Sequence, residues 1–300
     1  MSKKVIAVFG ATGQQGSSVL RALLKNGSYH VKAITRNANS EKAKQLSNLA
    51  NCTVVEADLD DQKTIDAALK GCYGTFLVTD FASHFAKKEV QQGVNTIDSA
   101  IKNGVSHFVF SGLENVESIL KKPCYHFDFK AEIENYGLKN SAKLNFTSVR
   151  LPAYFENFYS GFIHKIKPNE YLVNVPLEDK QMFGMSVDEI GECVLSVFEK
   201  PQEYKSKILG LSGDKLKLSE YVAILNKQLA PNKFTDSKIT VQKFAGLGFP
   251  GAEDLAAMFE FFQTGKMQRD IVLTKKLNKN SLNFEAWVIK NKQNFLVKLN

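Results

Sequence analysis

An apolar run, "VIAVF" (residues 5–9), leads directly into the glycine stretch "GATGQQG" (10–16) and then into the helix-length segment "SSVLRALLKNG". No other feature of the 300 residues restricts the fold as strongly. The β-branched run predicts a buried strand, and the amphipathic segment after the glycines predicts a helix. Gly10 permits a tight turn, Gly13 permits close approach to the backbone, and Gly16 lets the helix lie against the strand. The helix start then presents N–H groups and a positive dipole end, which suit a phosphate. The GxxGxxG spacing is weak by itself, and the flanking strand and helix give it meaning.

The same rhythm recurs in "HVKAIT" (30–35), "CTVVEAD" (52–58), "GTFLVTD" (74–80), "HFVFSG" (107–112) and "NFTSVRL" (145–151), separated by helix-length segments. One such helix, "DQKTIDAALKG", starts at Asp61 and stops at Gly71. Right-handed βαβ crossovers make this an α/β fold with a doubly wound parallel Rossmann sheet over residues 1–152. After Pro152 the rhythm changes. Helices are expected in "SVDEIGECVLSVFEK" (186–200), "KLSEYVAILNKQLA" (217–230) and "AEDLAAMFEFFQTG" (252–265), with short strands near "KILGLSG" and "ITVQKF". Residues 153–300 are therefore expected to form a smaller α/β C-terminal lobe that closes the cleft, with an interwoven boundary.

Composition narrows the function classes. With 44% hydrophobic and 23% charged residues the chain has ample core material. No stretch approaches the roughly 18 apolar residues of a membrane span, so a cytoplasmic protein is expected, with the nucleus as an alternative site. Cys52, Cys72, Cys124 and Cys193 lack metal-ligand spacing and read as reduced thiols, with no metal site. The net charge is +8, and residues 201–300 carry 16 Lys+Arg against 9 Asp+Glu. Scattered lysines without a reader motif argue against nucleic acid and for a solvated basic face or an acidic protein partner.

The second strand bears on the ligand. An acidic residue at its end would grip a ribose 2′-hydroxyl, whereas "TRN" places Arg36 there, suited to a 2′-phosphate and hence to NADP(H). Asp58 with Leu59, and Thr79, Asp80 and Phe81, stand at the third and fourth strand ends, where the rest of a dinucleotide would lie. These features resemble the short-chain dehydrogenase/reductase superfamily in an atypical form. That superfamily pairs a serine with a tyrosine four residues before a lysine. Ser111 and Lys130 match, but His126 stands four before Lys130 and Tyr125 five before. Five residues on a helix are about 140° out of phase, so the tyrosine is effectively missing. His126 and Lys130 remain as candidate acids.

The segments "SGLENV" (111–116), "HFDFKAEIE" (126–134), "TSVRLPAYFENF" (147–158), "FGMSVDEIG" (183–191) and "LGFPGAEDLAAMF" (247–259) together resemble the NmrA-like family, in particular its HSCARG type. The resemblance implies an NADP(H)-binding redox sensor without dehydrogenase activity, regulating partners according to the NADPH/NADP ratio. It implies cofactor contacts from Gly10, Ala11, Thr12, Gly13, Gln14, Gln15 and Gly16, from Arg36, Asn37 and Ser40, and from Asp58, Leu59, Thr79, Asp80, Phe81 and Lys130. It adds Tyr154, Phe155, Glu156 and Asn157; core packing is the alternative for Tyr154 and Phe155. It also implies a cofactor-dependent homodimer, and partners such as argininosuccinate synthetase or signalling proteins. Ordering of the loop after Arg36 and of "TDFASHF" (79–85) would couple cofactor to surface. Two positions depart from the family pattern: Gln91 replaces a lysine, and Glu41 brings a carboxylate near the 2′-phosphate unless Lys42 or Lys44 compensates. The rival readings are an NADPH-dependent reductase of a quinone or enal using Lys130 or His126, and a transcriptional co-regulator.

Overall fold

All six apolar runs of the first half are strands in the computed structural model, which describes residues 2–81 and 87–299. In chain order they are β1 (Lys4–Phe9), α1 (Gln14–Asn26), β2 (Tyr29–Thr35), α2 (Glu41–Ser47), β3 (Cys52–Glu56), α3 (Gln62–Leu69), β4 (Gly74–Leu77), α4 (Lys87–Lys102) and β5 (His107–Gly112). Then come α5 (Glu117–Leu120), α6 (Tyr125–Lys139) and β6 (Phe146–Arg150). The chain continues through β7 (Ala153–Tyr154), α7 (Asn157–Ser160), β8 (Ile163–Lys167), β9 (Glu170–Val173) and β10 (Gln181–Met185). A 3-10 turn at Val187–Glu189 leads into α8 (Ile190–Glu199), α9 (Pro201–Tyr204) and β11 (Ile208–Gly210). The remainder is β12 (Asp214–Lys217), α10 (Leu218–Gln228), β13 (Lys233–Asp236), α11 (Val241–Ala245), α12 (Ala252–Gln263), α13 (Ile271–Leu277), α14 (Phe284–Lys290) and α15 (Lys292–Leu299).

These elements divide into two units. The first comprises residues 1–115, 126–150 and 188–209; the second comprises 116–125, 151–187 and 210–300. The first unit is built on a seven-stranded sheet in the order β11-β6-β5-β4-β1-β2-β3. β1 to β6 pair in parallel, with Val8 opposite Ala33 on one side of β1 and Phe76 on the other. The chain winds outward from β1 to β3 and restarts at β4 on the other side of β1. The carboxyl end of β1 is therefore the switch point where such sheets take ligands.

Ile6, Val8, Phe76, Phe108, Val109 and Phe110 are fully enclosed, as befits strands covered on both faces. Asp61 caps α3 by accepting the Lys63 N–H at 2.9 Å, and Gly71 follows that helix with φ +74. Helix α8 belongs with this first unit: Ile190, Val194, Val197 and Phe198 are buried, and Gly191 packs against Ser18 of α1 so closely that a Cβ would lie 2.1 Å from the Ser18 oxygen. Each such aliphatic burial contributes about 1.5–3 kcal/mol of transfer free energy.

The second unit holds two three-stranded sheets, β12-β10-β7 and β13-β9-β8. Its core is aromatic, with Phe155, Phe158, Tyr221, Phe284 and Trp287 in mutual contact. The structure corrects two sequence readings here. "ITVQKF" is no strand but helix α11, because the Thr240 hydroxyl caps the Lys243 N–H and Val241 and Phe244, three apart, are both buried. "KILGLSG" does supply a strand, β11, but it joins the large sheet beside β6. Among the described residues no helix is long and apolar enough to cross a membrane.

Candidate functional site

The glycine loop lies where the sequence places it, between β1 and α1. Gly10 has φ +67, and its carbonyl accepts the Gly13 N–H at 2.9 Å, which closes the turn. A Cβ on Gly16 would come within 2.2 Å of the Gly10 oxygen, so no side chain fits there. Gly13 caps α1 without a side-chain bond, and no acid occupies the first turn. The N-terminal N–H groups of α1 thus keep a local positive potential. Ala11 is buried, Thr12 and Gln15 are half-buried, and Gly13 and Gln14 are exposed. This donor set fits a pyrophosphate: the N–H groups of Gln14 to Gly16 would hold it beside the exposed Gly13 backbone, and nothing anionic competes within the turn.

At the next strand end Arg36 is exposed, with its Nη2 3.8 Å from Asp80 Oδ2 at the end of β4. Asn37 and Ser40 shape the connection into α2. Asn37 accepts the Asn39 N–H, and Ser40 accepts the Ala43 N–H as the helix cap. Glu41 pairs with Lys44 at 3.2 Å on the exposed surface of α2. Asp58 accepts the Asp60 N–H at 2.9 Å, and Leu59 packs against the core. Glu56, not anticipated from the sequence, accepts the Ala38 N–H at 3.0 Å and ties the Arg36 loop to β3. Gln91 lies on the exposed face of α4 and donates to Asn95.

Lys130 projects from α6 into the first unit's interior. Its Nζ donates to Glu89 Oε1 at 2.5 Å, to Thr79 Oγ1 at 2.8 Å and to the Thr79 carbonyl at 3.0 Å. Thr79 Oγ1 donates in turn to Glu89 Oε1 at 2.6 Å. An ammonium has three donors, and all three are used. Glu89 is 1% exposed, and its Oε2 is buried without a hydrogen-bond partner among the described residues. Sequence reasoning missed Glu89, although a signal exists. In α4 it shares a face with Gly93, Thr96, Ile97 and Ala100, so helical spacing puts a carboxylate at a core position that requires a cation.

His126 stands one turn before Lys130, with its ring 5.9 Å from Phe81 and 4.8 Å from Phe127. Phe81 also meets Phe129 at 6.2 Å; residues 82–85 of "TDFASHF" lie outside the described residues. Tyr125 begins α6 and is exposed. Ser111 is buried on β5, opposite Val149. Beside it lies a second buried charge group: Arg150 donates to both oxygens of Glu134, Ser148 donates to Glu134 Oε2, and Glu114 stands 3.9 Å from Arg150. Burial pulls the Arg150 guanidinium down, but Glu134, then Glu114, outweigh it and hold the group above its ordinary value. A Cβ on Gly112 would strike Ser148 and Glu134, so this network is built into the sheet end.

The remaining predicted contacts belong to the second unit. The Phe155 ring is 1% exposed and committed to that unit's core, 5.2 Å from Phe284 and 5.5 Å from Trp287, so a cofactor contact through this ring is replaced by packing. Both carboxylate oxygens of Glu156 are engaged, one by Ser186 Oγ and the other by the Val187 N–H. These two bonds anchor the group within its own unit. Tyr154 is half-buried on β7 opposite Met185, and Asn157 opens α7. The four cysteines are free thiols, and burial raises Cys52, Cys72 and Cys193 above the usual range.

Comparison with known proteins gives consistent results. A family model described as the NmrA-like family matches residues 2–288. An NmrA-like family domain-containing protein of Dictyostelium discoideum is 31% identical, the match covering 87% of this chain and 88% of that protein. An NmrA-like family domain-containing oxidoreductase of Penicillium ochrochloron is 30% identical over 87% and 84% of the two chains. Among solved structures, the negative transcriptional regulator NmrA in complex with NADP superposes with a TM-score of 0.81 at 20% identity, covering 100% of both chains.

Proposed function

Because this chain belongs to the NmrA-like family, we propose that it binds NADP(H) as the input of a redox sensor and regulates protein partners, without turning a substrate over. The loop from Gly10 to Gly16 takes the pyrophosphate and Arg36 takes the 2′-phosphate. Bound NADPH would supply a hydride, so the distinction between sensor and enzyme falls on the proton donor.

One observation carries the reading. The Lys130 ammonium is fully occupied by Glu89 and Thr79, and the position one turn before it holds His126 in place of a phenol. An acid committed to three internal acceptors is poorly placed to protonate a substrate. The cofactor's effect is then on populations: it shifts an equilibrium between surfaces by no more than its differential affinity for them. A cofactor-dependent exchange between monomer and homodimer is the form expected from the HSCARG-type resemblance, with partners of the argininosuccinate synthetase or signalling kind.

The rival, an NADPH-dependent reductase of a quinone or enal, draws support from relatives named as oxidoreductases and from His126 standing a turn from Lys130. Calorimetric titration with NADPH and NADP, followed by sizing and by NADPH oxidation against a quinone and enal panel, separates the two. Sub-millimolar binding with a nucleotide-dependent change in size or partner capture, and no turnover, is expected. Turnover that disappears in Lys130→Ala while cofactor binding persists would establish the reductase instead.

A further inference from the structure

Arg36, the cation best placed for a 2′-phosphate, is opposed by a carboxylate of its own chain. Its Nη2 lies 3.8 Å from Asp80 Oδ2, and the two side chains are 59% and 55% exposed. Arg36 immediately follows β2 and Asp80 lies three residues beyond β4, strands that flank β1 and its glycine loop. The neighbouring strand end is also acidic: Glu56 ends β3, and Asp58 follows it. Within α2, Lys44 is engaged by Glu41.

A dinucleotide with a 2′-phosphate brings close to two negative charges to Arg36. The guanidinium must then exchange a carboxylate for the phosphate, and the displaced carboxylate is left beside an anion of like charge. A dinucleotide with a free 2′-hydroxyl brings no phosphate to the guanidinium and meets no such penalty. We infer that Asp80 sets cofactor preference: by competing for Arg36 it narrows the margin between NADP(H) and NAD(H) that Arg36 alone would create. This rests on the reading that the chain binds a nicotinamide dinucleotide at the glycine loop. The pair is exposed, so the competition is screened by salt and modest in size.

The test is a set of dissociation constants for NADPH and NADH, measured by calorimetry at low salt on the full chain and on Asp80→Asn, Arg36→Gln and the double variant. In Asp80→Asn the preference for NADPH over NADH should rise about threefold or more. The gain should shrink in high salt, and it should be absent when Arg36 is already Gln. A preference that is unchanged or reduced in Asp80→Asn overturns the inference, as does an equal gain in the Arg36→Gln background, where competition for the guanidinium no longer exists. If the unaltered chain binds neither nucleotide, the premise fails and the inference with it; if it binds them with a ratio that Asp80 does not move, only the inference fails. Both positions are exposed, and coincident thermal unfolding of the variants verifies that the fold is kept.

Discussion

At the scale of single residues, a buried histidine and a buried ion pair make measurable statements. His107 is completely enclosed on β5, edge-on to Phe198 at 5.3 Å. Its Nε2 lies 3.1 Å from Thr147 Oγ1, whose own hydroxyl donates to the Tyr204 carbonyl, so Nε2 must carry the hydrogen. Nδ1 has no hydrogen-bond partner, and the charged ring would need one. Burial accordingly pushes His107 down to about 4. As pH falls through about 6.5 the unfolded chain takes up a proton that the folded chain refuses until about 4, so stability is lost across that window. The loss should total about 3 kcal/mol, and urea midpoints from pH 7 to 4.5 should fall less steeply in His107→Gln. An unchanged slope in that variant would count against the assignment. Lys130 and Glu89 give the second statement. Replacing Glu89 by Ala leaves an ammonium buried without its anion and should cost about 3–5 kcal/mol, read as a lower unfolding midpoint at neutral pH. The displacement of the tyrosine from the i, i+4 position before Lys130 is plain in the sequence. The partner of Lys130 is not, because Glu89 is 41 residues away and meets it only through helix packing.

Among elements, the turn between β1 and α1 has the least room for change. In Gly16→Ala the new Cβ would lie 2.2 Å from the Gly10 oxygen, so the loop backbone must move. We expect a loss of about 1–3 kcal/mol in stability and at least about a tenfold weaker NADPH affinity, by about 1.4 kcal/mol or more. Gly27→Ala is the control. Gly27 ends α1 with φ +79 and has nothing within 4 Å of a Cβ, so strain of about 1–2 kcal/mol should appear in stability, with cofactor affinity retained. Calorimetry on the two variants separates a phosphate cradle from an ordinary helix end. Local pattern made β1 to β6 legible, since each is a short β-branched or aromatic run bounded by a helix-length segment. It misread "ITVQKF", where a short strand was expected but Thr240 supplied a cap and Val241 and Phe244 a helical face. It also gave no hint that β11 would join the large sheet, because pairing with β6 is settled across more than fifty residues of intervening chain.

For the whole molecule, the change of rhythm near Pro152 falls beside one of several crossings between the two units. The chain passes from one unit to the other five times, at 115/116, 125/126, 150/151, 187/188 and 209/210. A chain cut to residues 1–152 retains β1 to β6 but loses α8, whose buried Val194, Val197 and Phe198 complete the first core. It should show no cooperative urea transition and should bind a hydrophobic dye, whereas the full chain should unfold cooperatively and bind none. The weaving also has a consequence for how the protein meets a protease. A cut beside Asp188 severs the backbone, yet Arg21 still pairs with Asp188 and Gly191 still donates to Ser18, both within the first unit. The halves are tied by folding as much as by covalent bonds. A nicked molecule should therefore travel as one species in native sizing and part only in denaturant, and residues 1–187 and 188–300 produced as separate polypeptides should complement one another on mixing.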